Sequence, residues 1–131
     1  MSDAWLVDEK TRDNRSKIFI FSVANVAISD VSSEIVFNLK NIKSGTISSC
    51  KIKCSSTDFD FDLFSKTGQT YPSPYQIFRI EENNLEGSGA DIGGTFINFD
   101  NPQEAKIYGV ITNNDGINAT GVIYITLEIY Y

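Results

Sequence analysis

Between Asp58 and Phe64 the chain reads DFDFDLF, and acids change places with large apolar residues at almost every step. Only a strand sorts such a pattern cleanly, because successive side chains of a β-strand point to opposite faces. The same two-residue period governs the C-terminal stretch. There Ile123, Ile125, Leu127 and Ile129 share one face, and Val122, Tyr124, Thr126, Glu128 and Tyr130 share the other. A helix would scatter both sets around its circumference.

Composition agrees with this reading. The chain has 17 Ile and 7 Val against 5 Leu, and β-branched residues suit a pleated, half-buried surface. Segment 17–28 is apolar on both faces and reads as a central strand. Segments 33–39, 46–56, 58–65, 75–80, 95–99, 105–112 and 121–131 bring the total to about eight strands. Residues 81–94 (EENNLEGSGADIGG) read as a long polar, Gly-rich loop. Asp115–Gly116 offers turn chemistry between the last two strands, which predicts an antiparallel hairpin. The expected fold is all-β: a two-sheet antiparallel β-sandwich, jelly-roll-like, over residues 17–131. Residues 1–16 form a charged N-terminal arm with one apolar patch, Trp5–Leu6–Val7. At 131 residues the chain fits one domain able to bury a core without disulfides or metals.

The sequence contains no histidine. This removes the commonest general base, the Ser-His-Asp and Cys-His arrangements and most zinc sites. The stretch Gly87–Gly94 lacks the spacing and the lysine of a phosphate loop. A non-enzymatic protein without a cofactor is therefore expected. Net charge is −6. Residues 81–131 carry eight acids and one base, Lys106, whereas residues 1–80 carry nine acids and ten bases. The acidic half offers no footing for phosphate backbones or anionic membranes. No apolar run approaches the ~20 residues of a membrane span, and residues 1–15 show no secretory leader. Cys50 and Cys54 lie about 13 Å apart along a strand at ~3.3 Å per residue, too far for a disulfide. Two free thiols fit synthesis in a reducing cytoplasm.

Two groups of residues are candidates for binding. Asp58, Asp60 and Asp62 share a strand face. They could hold a hard cation such as calcium, with loop oxygens of Asp100, Asn101 or Asp115 joining them, or form a solvated face opposite a Phe-rich core. The aromatic candidates are Tyr71 and Tyr75, in the stiff loop Tyr71–Pro72–Ser73–Pro74–Tyr75, and Tyr108, Tyr124 and Tyr130. The last three are expected as one strip on the final hairpin, suited to a protein interface or second core layer. Trp5, with Leu6 and Val7, is expected either to dock on an adjacent subunit as an assembly latch or to lie across its own sandwich as an edge strand.

Two resemblances add to this reading. DFDLF (Asp60 to Phe64), with a C-terminal stretch TGVIYITLEIYY, resembles the pre-peptidase C-terminal domains, small jelly-roll appendages of which some bind calcium or extracellular polymers. The Ile/Asn-rich sandwich behind a polar arm, and FINFDNPQEAKIYGVITNND (Phe96 to Asp115), resemble small β-sandwich virion structural proteins of tailed phages. The second resemblance implies a homo-oligomeric structural subunit of a virion, a capsid decoration or tail component. It would be made in the host cytoplasm and contact other virion proteins and host-surface glycan. The rival expectation is a carbohydrate- or cell-surface-binding module. Aromatics buried between subunits would favour the first, and a concave exposed cluster the second.

Overall fold

A computed structural model describes residues 2–13, 16–39, 42–83, 89–99 and 105–131. Among these residues ten strands follow one another: β1 (Ser2–Asp3), β2 (Trp5–Asp13), β3 (Ser16–Val23), β4 (Ile35–Asn38), β5 (Ser44–Lys53), β6 (Asp58–Phe64), β7 (Gln76–Asn83), β8 (Gly89–Asn98), β9 (Lys106–Asn113) and β10 (Ile123–Tyr130). They form two sheets, ordered β1-β4-β9-β6-β7 and β2-β3-β10-β5-β8. All pairings are antiparallel except the short parallel contact of β1 with β4. Strands β3 to β10 interleave as β3-β10-β5-β8 facing β4-β9-β6-β7, the strand order of a jelly roll.

The alternation seen in the sequence decides which side of each strand faces inward. Phe59, Phe61 and Leu63 of β6 meet Ile125, Leu127 and Ile129 of β10 in one shared core. Aromatic rings run through it from sheet to sheet. Phe21 packs edge-on against Phe37 (5.1 Å, 85°), Phe37 against Phe61 (6.1 Å), and Phe61 against Phe78 (6.0 Å). Each such pair adds about 1 kcal/mol beyond the area it buries. Gly109 makes the middle contact possible. A Cβ there would stand 2.8 Å from the Phe37 ring and 2.9 Å from the Phe61 ring. Cys50 and Cys54 are both buried, on the same inward face as Ile52.

Three sequence expectations need correction. The last two strands do not form a hairpin. β9 pairs with β4 and β6, while β10 pairs with β3 and β5 in the opposite sheet. Both bury an Ile-rich face in the same core, and alternation cannot tell neighbours in one sheet from strands facing each other across two. The positive φ in this connection falls at Gly121 (63°), not at Gly116. The expected Gly-rich loop is also partly strand. Residues 81–83 finish β7, and Gly89–Gly94 belong to β8, where backbone pairing with β5 (Ser49 with Asp91, Cys50 with Ala90) overrides poor local propensity. Residues 84–88 of that expected loop lie outside the described residues. Finally, the strand expected over 17–28 ends at Val23.

The N-terminal segment lies along its own sandwich. β1 pairs with β4, Ala4 N donates to Val36 O (2.8 Å), and β2 then pairs with β3. The chain thus steps from the edge of one sheet to the edge of the other. β2 carries two register shifts, at Leu6/Asp8 and Thr11/Asp13.

Candidate functional site

The outer face of the first sheet holds a dense polar cluster. Asp58, Asp60 and Asp62 point outward from β6, as the alternation predicts. Arg79 stands opposite Asp62 on β7. Its Nη1 donates to both carboxylate oxygens of Asp62 (3.1 and 3.2 Å), and its Nε donates to Glu81 (2.8 Å). Nη2 lies 3.1 Å from Asp60. One guanidinium therefore engages three carboxylates, and the fork geometry of arginine suits the task. Asn114 Nδ2 donates to Asp60 (3.0 Å), and Gln76 Nε2 to Asp62 (3.3 Å).

Asp62 is only 4% exposed. Burial pushes its carboxyl above the ordinary range, and the facing charge of Arg79 pulls the other way. Asp60 and Asp62 of the stripe that could have held calcium are thus engaged by Arg79, and no cluster of metal-ligating side chains occurs among the described residues. Of the loop residues that might have joined such a site, Asp100 and Asn101 lie outside the described residues. Asp115 serves a different purpose, described below.

The Pro-rich loop folds over this cluster. The Tyr71 ring lies 3.8 Å from the Arg79 guanidinium carbon, and Tyr75 lies 4.9 Å from Lys66 Nζ. Each tyrosine is thus fixed by a cation and remains exposed, Tyr71 at 51%. The loop reaches across the sheet to Glu34, which accepts from Thr67 Oγ1 (2.6 Å) and Gly68 N (2.7 Å). Gly68 has φ 76°, a conformation that favours glycine. Beside the loop lies a groove of about 350 Å³, lined by Val31, Asp62, Tyr71, Arg79, Val110 and Thr112 among others.

The other aromatic candidates do not form the expected strip. Tyr108 is half-buried on the first sheet, opposite Phe64 and Val36. Tyr124 and Tyr130 are exposed on the second sheet. They part company because β9 and β10 are in different sheets. Trp5 is 74% exposed, with Leu6 and Val7 beside it on the edge strand. Trp5 shares a cross-strand row with Ser22 and Tyr124. A hollow of about 450 Å³ opens where the chain crosses between sheets, lined by Ala4, Trp5, Leu6, Val36 and Lys106 among others.

A second polar knot holds the β9–β10 connection. The Asp115 carboxylate accepts from the backbone N–H groups of Ile117, Asn118 and Thr57 and from the Thr57 hydroxyl. The bonds from Asn118, Ile117 and Thr57 hold its carboxyl well below the usual carboxylate range. Asn113 donates to Ala27 O and Asn118 O and accepts from Ser56 (2.7 Å). Sequence reading found Asp115 as a turn residue and missed this knot, because its partners lie as far as 86 positions away.

No protein-family model matches the chain, and no curated protein does. Solved structures give distant likenesses. One is a hydroquinone 1,2-dioxygenase from Sphingomonas sp. TTNP3 with 4-hydroxybenzoate bound, at TM-score 0.35 and 7% identity over 92% of this chain. This chain spans 62% of that one's length. Another is a CBM4 structure, at TM-score 0.31 and 12% identity, covering 97% of this chain and 77% of that one. Neither likeness is close enough to bear on activity or ligand.

Proposed function

We propose that this chain is a non-enzymatic structural subunit of a larger particle, built to bind copies of itself and neighbouring proteins. The particle is a tailed-phage virion on the sequence resemblance, with capsid decoration or tail as its place. The observation that supports assembly is the exposed run Trp5–Leu6–Val7 on an open sheet edge. Residues 8–11 of the same edge carry the exposed charges of Asp8, Glu9 and Lys10, a device that keeps strands from pairing indiscriminately. Trp5–Val7 lacks such charges, and a cluster of exposed large apolar side chains marks a contact surface. The jelly roll serves viral capsid and lectin domains alike, so the fold by itself favours neither particle nor sugar.

Sedimentation velocity tests the reading. The protein should sediment as an oligomer at micromolar concentration, and Trp5→Ala with Val7→Ser should return it to monomer with its unfolding midpoint retained. A wild-type protein that stays monomeric even at high concentration would sink self-assembly.

A further inference from the structure

We infer that the groove on the first sheet is a binding site for an uncharged sugar, independent of the assembly edge. The inference goes beyond the structural role proposed above. It stands on three features of the groove.

The first is its charge. Every side-chain nitrogen of Arg79 faces a carboxylate, of Glu81, Asp62 or Asp60. Among the described residues lining the groove no bare cation is left for a phosphate or an acidic sugar. The three carboxylates outnumber that guanidinium, so the cluster keeps a negative charge that repels such anions, while Arg79 fixes the Asp60 and Asp62 oxygens in place. These carboxylate lone pairs and the Thr70 and Thr112 hydroxyls accept from and donate to hydroxyl groups. The second feature is apolar surface. The Tyr71 ring and the Val31 and Val110 side chains line the same groove, so a ligand with an apolar C–H face and a polar rim meets both requirements. A pyranose ring has that form.

The third feature is preorganisation. Tyr71 is held by Arg79, and the tip of its loop is fastened to Glu34 by two short hydrogen bonds. A wall fixed before binding loses little entropy when the ligand arrives. The volume of about 350 Å³ is at the small end for ligand sites, which suits a terminal sugar or short glycan better than a peptide segment.

Affinity electrophoresis of the full chain provides the test. Probes are neutral polysaccharides (laminarin, mannan, galactan, cello-oligosaccharide), polygalacturonate as the acidic polymer and oligolysine as the basic one. At least one neutral glycan should retard the protein. Tyr71→Ala and, separately, Thr112→Tyr, which fills the groove floor, should each weaken that retardation at least tenfold with the fold retained by circular dichroism. Ile117→Ser, at an exposed position outside both the groove and the assembly edge, should leave it unchanged. Retardation only by polygalacturonate, only by oligolysine, or by no neutral glycan would overturn the inference. So would neutral-glycan binding that survives both groove substitutions.

Discussion

Arg79 holds together what β6, β7 and the Pro-rich loop contribute to the outer face. Removing it leaves Asp62 buried without its counter-ion, and breaking such a pair from one side costs about 3 kcal/mol. Removing the carboxylate instead leaves Arg79 with Asp60 and Glu81. Thermal unfolding should therefore show Arg79→Met losing clearly more stability than Asp62→Asn, and equal losses would mean that the pair contributes little. Asp115 predicts a pH effect of definite sign. Its folded pKa is depressed, so its contribution is full above the unfolded value of about 4 and declines as pH falls from there toward the depressed folded value. Asp115→Asn should lower the melting temperature at pH 7, and the gap to the wild type should shrink as acid protonates Asp115. A gap that stays constant between pH 7 and pH 3 would contradict the assignment.

At the scale of elements, the sequence revealed strands more readily than their neighbours. The outward face of Asp58, Asp60 and Asp62 and the inward Cys50–Ile52–Cys54 face both follow from a period of two, which needs no knowledge of pairing. The partner of a strand is set by which edges meet in three dimensions. That is why β9 and β10 read as a hairpin yet lie in opposite sheets, and why Tyr108 was grouped with Tyr124. Arg79 was invisible as a partner for the same reason, since it lies 17 positions from Asp62. The Gly-rich start of β8 was missed because its order comes from β5. The N-terminal segment predicts its own element-level test. β1 and β2 cover the open edges of β4 and β3, so deleting residues 1–13 should bare two strand edges and replace the ordered assembly made through Trp5–Val7 by edge-to-edge aggregation. Light scattering should rise at temperatures where the intact chain stays clear. A truncated protein as soluble as the whole would show that the edges need no cover.

Seen as a whole, the molecule presents its two candidate surfaces on different sides. The apolar edge lies where the N-terminal segment crosses between sheets, and the groove lies on the outer face of the first sheet beside the Tyr71 loop. A subunit can therefore be anchored at one while the other stays open. The position of β10 carries a different consequence. That strand sits in the middle of the second sheet, between β3 and β5, and both of them precede it in the chain. A ribosome delivers it after both neighbours, so β3 and β5 lack their shared partner until residues 123–130 have been made. The nascent chain must hold its Ile-rich strands apart until then, and the second sheet closes in a single event. A stop codon before Ile123 should accordingly yield insoluble protein, and a ribosome-stalled chain with residues 123–131 still inside the exit tunnel should remain protease-sensitive. A chain resistant to protease at that stage would show that the second sheet closes without its central strand.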